Sequence, residues 1–182
     1  MKIRKNDIFL YGRKMLFQML EILYPRRCAV CDEIEVTGKG ICPLCKDKVH
    51  VAGEPACKKC GKPLVDERKE FCTDCGKKHH VYTQGKAVFV YEGGIRNSMY
   101  RFKYGNKREY AEFYANAAVE KYGVWLNKIK AEVLIPIPMY SRKKRLRGYN
   151  QAEVFARELG RKAGILVDEH LVRRVRNTIP QK

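Results

Sequence analysis

The chain has 182 residues, a formal net charge of +18 at pH 7 and eight cysteines. That length holds one ordinary domain or two small ones, and the charge favours polyanionic partners: nucleic acid or phosphorylated small molecules. Arg13, Lys14, Gln18 and Glu21 interrupt the N-terminal apolar residues. This excludes a continuous signal-peptide core or a membrane span, so the expectation is a cytoplasmic protein whose thiols are reduced or metal-bound.

In chain order, residues 8–23 carry an apolar pattern of mostly helical period, and a short N-terminal apolar helix is predicted within 1–24, ended by Pro25. Its apolar face can pack on the rest of the protein or lie on a membrane surface. The cysteines follow as four C-x-x-C pairs: Cys28/Cys31, Cys42/Cys45, Cys57/Cys60 and Cys72/Cys75. Each pair can set two sulfurs on a tight knuckle, and two knuckles complete a four-thiolate shell for Zn²⁺. A disulfide framework does not predict four identical spacings, and tandem repetition disfavours a redox pair. Residues 25–80 are therefore predicted to form a double zinc ribbon with two structural zinc ions. Each site is expected to be closed by sequence-adjacent pairs, because the intervening loops are long enough to close each shell locally. Gly61 and Gly76, one residue beyond a cysteine pair, are expected at positive φ. His79 and His80 read as surface residues. With eight thiolates and two Zn²⁺ the formal charge falls to about +14.

Beyond the cysteines, Ala87 to Tyr91 reads as a strand, and Ile95, Met99 and Phe102 form a helical stripe. A longer helix is predicted over 107–129, where Tyr110, Phe113, Tyr114 and Trp125 suit a core; aromatic richness also suits base stacking. Val133 to Ile137 is an apolar, β-branched strand bounded by Pro136 and Pro138. Five cationic side chains then fall within 142–147, followed by Gly148 for a turn and Asn150 as the N-cap of a helix running to Ala163, with Gly164 as its stop. Further strand material lies at 165–167 and 171–175. Strand, basic glycine loop and helix N-terminus form an anion site in which N–H groups and the helix dipole face the arginines. The plainer alternative is a solvated basic run.

Four segments resemble the ComF family, close to ComFC: L-Y-P-R-R-C-A-V-C at 23–31, V-L-I-P-I-P at 133–138, R-G-Y-N-Q-A-E at 147–153, and R-x-R-x-T-x-x-Q at 174–181. The resemblance implies an α/β fold: an N-terminal double zinc ribbon, then an incomplete type I phosphoribosyltransferase-like domain over 85–182, built on a parallel βαβ unit. It places Arg145, Arg147, Gly148, Asn150 and Gln151 at the pyrophosphate of phosphoribosyl pyrophosphate. Thr178, Gln181 and Lys182 fall at the edge of a flexible loop, and Arg101, Lys103 and Lys107 add charge near the same cleft. It further implies a link to competence and DNA uptake, with single-stranded DNA and competence helicase-type proteins as partners, and Mg²⁺ beside phosphoribosyl pyrophosphate in a full-length protein. The family's acidic pair and T-T-G loop find no match in this chain. The expectation is thus a partial domain that binds without catalysis, with no residue assigned to bond making. A zinc-ribbon protein holding single-stranded nucleic acid, or a zinc-stabilised adaptor whose charge only solubilises it, are the competing readings.

Overall fold

The computed structural model describes residues 23–178. The predicted helix of residues 1–24 lies outside them, apart from Leu23 and Tyr24, which are exposed. No helix among the described residues is long and apolar enough to cross a membrane.

Each ribbon begins with a knuckle closed by an antiparallel bridge, Arg27 to Ile34 in the first and Ala56 to Pro63 in the second. Each ends in one helical turn, α1 (Pro43–Lys46) or α2 (Thr73–Lys77), entered from an extended cysteine. Pro43 suits the start of α1, where its missing N–H has no acceptor to satisfy. The bridged knuckles require a left-handed residue after their second cysteine: Asp32 supplies it at φ 69° and Gly61 at φ 75°. Aspartate tolerates that region better than most side chains. Gly61 has a second reason to be glycine, because a Cβ there would meet the Ala87 amide nitrogen at 2.7 Å. Gly76 differs from expectation. It lies inside α2 without positive φ, because the second pair of each ribbon sits on a helical turn.

α3 (Gly93–Tyr104) buries the predicted stripe through Ile95 and Phe102, with Met99 packed alongside. α4 (Tyr110–Ile129) starts three residues later than expected and buries Tyr110, Phe113 and Tyr114 among others. Ser98 and Tyr114 satisfy one another's hydroxyls at 2.6 Å inside the core, as buried polar groups require. Ala29 of the first ribbon and Tyr149 belong to the same apolar cluster. The core is therefore shared by the ribbon and the helices. The stretch 87–91 is not a strand: Phe89 makes one antiparallel bridge to Val51, and further pairing is limited to Ala52 N–H to Val88 and Val90 N–H to His50.

β1 (Val133–Leu134) pairs in parallel with β2 (Leu166–Val167), Val133 opposite Leu166 and Leu134 opposite Val167. The expected strand through Ile137 stops at Leu134, before Pro136, which has no N–H to give a ladder. Residues 171–175 are exposed and form no strand. The basic stretch is not an open loop but α5 (Ser141–Arg147), since arginine, lysine and leucine are good helix formers and nothing within the run breaks it. Gly148, at φ 83°, ends it in the left-handed conformation. α6 (Gln151–Ala163) follows and ends at Gly164, φ 69°. It packs most broadly on α4 and also on β2.

Gly160 sets that last contact. A Cβ at this position would lie 2.5 Å from Val167 Cγ2 and 2.6 Å from the Ile165 carbonyl oxygen. Gly160→Ala should therefore destabilise by about 1–3 kcal/mol, the cost of overpacking, despite alanine's better helix propensity. Urea unfolding checks this; an unchanged or raised midpoint would mean that helix and strand can separate freely.

Candidate metal centres and anion-binding cleft

The eight cysteines gather into two clusters, Cys28/Cys31/Cys42/Cys45 and Cys57/Cys60/Cys72/Cys75, with all sulfurs of a cluster within 4.8 Å of one another. None is in a disulfide. A zinc ion with Zn–S bonds of about 2.3 Å holds tetrahedral sulfurs about 3.8 Å apart. Cys31 and Cys42 Sγ are 3.8 Å apart, and so are Cys60 and Cys72. The clusters thus have the dimensions of closed four-thiolate zinc sites, and each uses neighbouring pairs as the loop lengths predict.

Their electrostatics agree. Burial alone would raise the Cys28 thiol, but backbone N–H groups of Cys31, Cys42 and Val30 outweigh it and bring its pKa down to about 7. Cys57 falls in the same way to about 6, through the N–H groups of Cys72, Cys60 and Lys59. Burial and the neighbouring sulfurs push Cys45 up to about 12. Four such sulfurs cannot all ionise together without a cation among them. Zn²⁺ supplies that charge and, with no open position, serves folding and not catalysis.

The first cluster is built into the helices. Asp32, next to Cys31, accepts a 2.7 Å hydrogen bond from Tyr110 and pairs with Lys107 at 2.8 Å. Burial opposes ionisation of Asp32, yet these two partners hold its carboxyl below the ordinary range. Arg101 donates to the Val30 carbonyl within the knuckle. Arg101 and Lys107 therefore face the ribbon, not the cleft to which the sequence reading assigned them. Sequence inspection missed this clasp because its partners are 71 to 78 residues apart.

The turn after α5 is held from several sides. Tyr149 is buried and donates its hydroxyl to the Phe102 carbonyl. Asn150, 1 % exposed, accepts from the Ala152 N–H at 3.1 Å and donates to the Ile137 carbonyl at 3.0 Å. It caps α6 and ties it to the segment after β1, so its side chain positions the turn and does not reach out of it. Arg147 donates to Gln151 Oε1 at 2.6 Å and lies 4.6 Å over the Tyr104 ring. Arg145 is exposed at the end of α5. Glu153, in the first turn of α6, is paired with Lys144 at 2.6 Å, a second contact unseen in the sequence.

A cleft of ≈580 Å³ opens between residues 138–141, which follow β1, and 169–175, which follow β2; Lys144, Glu153, Glu169, His170, Arg173 and Arg174 contribute charge or hydrogen bonds to its walls. Hydrogen bonds from Arg157 hold the Glu169 carboxyl below its ordinary range. Both carboxylates have cations of their own, which leaves Arg173 and Arg174 to set the sign of the cleft. Thr178 accepts from Lys143 at 3.0 Å through its carbonyl and from Arg174 through its hydroxyl. Gln181 and Lys182 lie outside the described residues.

The metal assignment predicts two zinc ions per chain in protein purified under reducing conditions, and loss of structure over 28–75 on chelation. So polar a segment cannot bury enough apolar surface to fold without metal. Metal analysis with circular dichroism measures both; a zinc content near zero would exclude the double-ribbon assignment.

Residues 19–76 match the double zinc ribbon domain family. No curated protein and no solved structure matches the chain.

Proposed function

We propose that residues 85–182 belong to a phosphoribosyltransferase-like domain of the ComF type, and that the region around α5 and the following turn binds the pyrophosphate group of phosphoribosyl pyrophosphate. The observation that carries this reading is the position of the cleft. It lies beyond the carboxyl ends of two parallel strands, where α/β sheets bind ligands, and next to a helix N-terminus. Arg145 and Arg147 are the phosphate donors of the proposal; they reach in from the turn beside the cleft, whose own walls carry Lys144, Arg173 and Arg174, with the backbone at Gly148 making close approach. Asn150 and Gln151 hold that geometry, and Thr178, tied to Lys143 and Arg174, marks the far edge of the proposed site. Mg²⁺ would accompany the diphosphate. The proposal is one of binding: positioned cations stabilise phosphate charge, and no residue of this chain is assigned to bond making.

A second reading rests on a different observation. Tyr100 and Tyr104 expose 64 % and 61 % of their surface on α3, with ring centroids 5.0 Å apart and Arg147 over the second ring. Exposed rings beside cations are what unpaired bases stack upon. This favours single-stranded DNA as the polyanion, in line with a role in DNA uptake. An affinity for single strands that falls steeply with salt and drops in Tyr100→Ala would support it.

Calorimetric titration with inorganic pyrophosphate, and competition with phosphoribosyl pyrophosphate, tests the first reading. Arg147→Ala should weaken binding by about 1.5–3 kcal/mol, the scale of a charged hydrogen bond, while Lys143→Ala should cost a few tenths. Gly148→Val should also be damaging, since a β-branched residue fits φ 83° poorly. Equal, small effects of Arg147→Ala and Lys143→Ala would reduce the region to diffuse charge.

A further inference from the structure

The two metal clusters are alike in ligands and spacing but are attached to the protein in different ways. The first is surrounded by the helical half. Ala29 lies in the main core, Asp32 is clasped by Tyr110 and Lys107, and Arg101 reaches the Val30 carbonyl. Gly94 sits so near that a Cβ on it would meet Val30 Cγ1 at 2.6 Å, and a Cβ on Gly40 would meet that of Phe113 at 3.0 Å.

The second cluster has nothing comparable. Its bonds stay within its own segment: Lys58 N–H to Glu70, Gly85 N–H to Lys59, Gln84 to the Lys58 carbonyl, Lys58 with Glu70, and Lys62 with Asp74 at 4.0 Å. Lys59 lies 5.2 Å over Tyr82, again inside the segment. Among the described residues, no hydrogen bond, ion pair or aromatic contact joins 54–84 to the helices or to the first ribbon, and none of its cysteines enters a core cluster. The segment is joined at its root alone. There the chain enters and leaves side by side, with Val51 bridging Phe89 and the Ala52 N–H bonding Val88. α4 fastens that stalk: Lys121 donates to the Ala52 carbonyl and, at 3.2 Å, to Ala87, and Tyr122 donates to Ala87 at 2.7 Å.

We propose that the second ribbon is a separately folding head on this two-segment stalk, which releases its metal and unfolds independently, while the metal of the first ribbon is linked to the folding of α3, α4 and α6. Metal binding and folding are one equilibrium in each ribbon, because neither segment on its own buries enough apolar surface to fold without its metal. What differs is how far the unfolding spreads. Cooperative units follow the density of contacts, and among the described residues no hydrogen bond, ion pair or aromatic contact crosses between the second ribbon and the helices. Loss of the first metal removes the support under Ala29 and Asp32, and with it a wall of the main core. Loss of the second removes only the head. Limiting zinc would then yield a stable form with the helical half and the 148–151 turn intact and residues 53–85 unfolded.

The test is stepwise chelation of the full zinc-loaded chain, following zinc release with a metal-sensitive dye and amide protection by hydrogen exchange. Two release phases of one equivalent each are expected, with protection lost over 54–84 in the first and over α3, α4 and α6 only in the second. Cys57→Ser with Cys72→Ser should bind one zinc and keep the thermal transition of the helical half within a few degrees. A single phase, or loss of protection in α4 together with the second ribbon, would overturn the proposal. Lys121→Met adds a readout that needs no metal removal: exchange at the Ala52 and Val90 amides, which donate across the stalk, should rise severalfold while the first ribbon stays protected. Unchanged exchange there would show that α4 does not fasten the stalk.

Discussion

The clasp on Asp32 is the contact on which most of the molecule depends, because it joins a metal knuckle to the helical core through charges that would otherwise be left unpaired. Four thiolates around Zn²⁺ carry a net charge of about −2, and Asp32 adds another beside them. Lys107 answers the carboxylate at 2.8 Å, Tyr110 gives it a hydrogen bond, and Arg101 places a cation on the carbonyl of Val30. Partly buried charges are tolerated only when paired and hydrogen-bonded, so loss of one member would leave the others exposed to an unfavourable field. Part of the chain's large positive charge is therefore internal compensation for its own metal sites. A count of lysines and arginines overstates what a partner meets.

The segment around Gly148 follows the same principle at a smaller scale. Its cations are not a loose fringe: Lys144 answers Glu153, Arg147 is held between Gln151 and the Tyr104 ring, and Arg108 lies over Tyr149 at 4.9 Å. Such pinning costs the isolated protein the solvation of these groups. Under the proposed function, a phosphate arriving there would find donors already placed, with less entropy left to lose on binding.

Features fixed by neighbours in sequence were the legible ones. Four C-x-x-C pairs at similar intervals give the clusters and their pairing. Asn150 before an apolar period gives a helix cap, and Gly148 and Gly164 give left-handed stops at either end of that region. Features decided by distant partners were not. Ala87 to Tyr91 has the composition of a strand but finds a single bridge, since the residues available to pair with it, 50–52, soon turn away into the second ribbon. Lys107 and Arg101 read as free cations because nothing local shows that a knuckle 71 or more residues earlier would occupy them. Residues 142–147 read as a loop because charge density masked an unbroken run of helix formers. The match to the double zinc ribbon family covers 19–76 and does not reach α3 or the elements after it.

The turn and the first metal site belong to one body. Lys107 pairs with Asp32, and its neighbour Arg108 donates to the Gly148 carbonyl at 3.4 Å and lies over Tyr149. Tyr149 in turn donates to the Phe102 carbonyl and packs in the cluster that contains Ala29. Between the sulfur of Cys28 and the backbone of Gly148 there is thus no interval without a packed or hydrogen-bonded side chain. The first zinc ribbon acts as a wall of the domain that carries the turn, not as an appendage to it. Removing that wall would loosen Tyr149 before it touched any cation of the cleft, and the pre-placement of Arg147 and Gln151 would be lost through the backbone that Tyr149 holds.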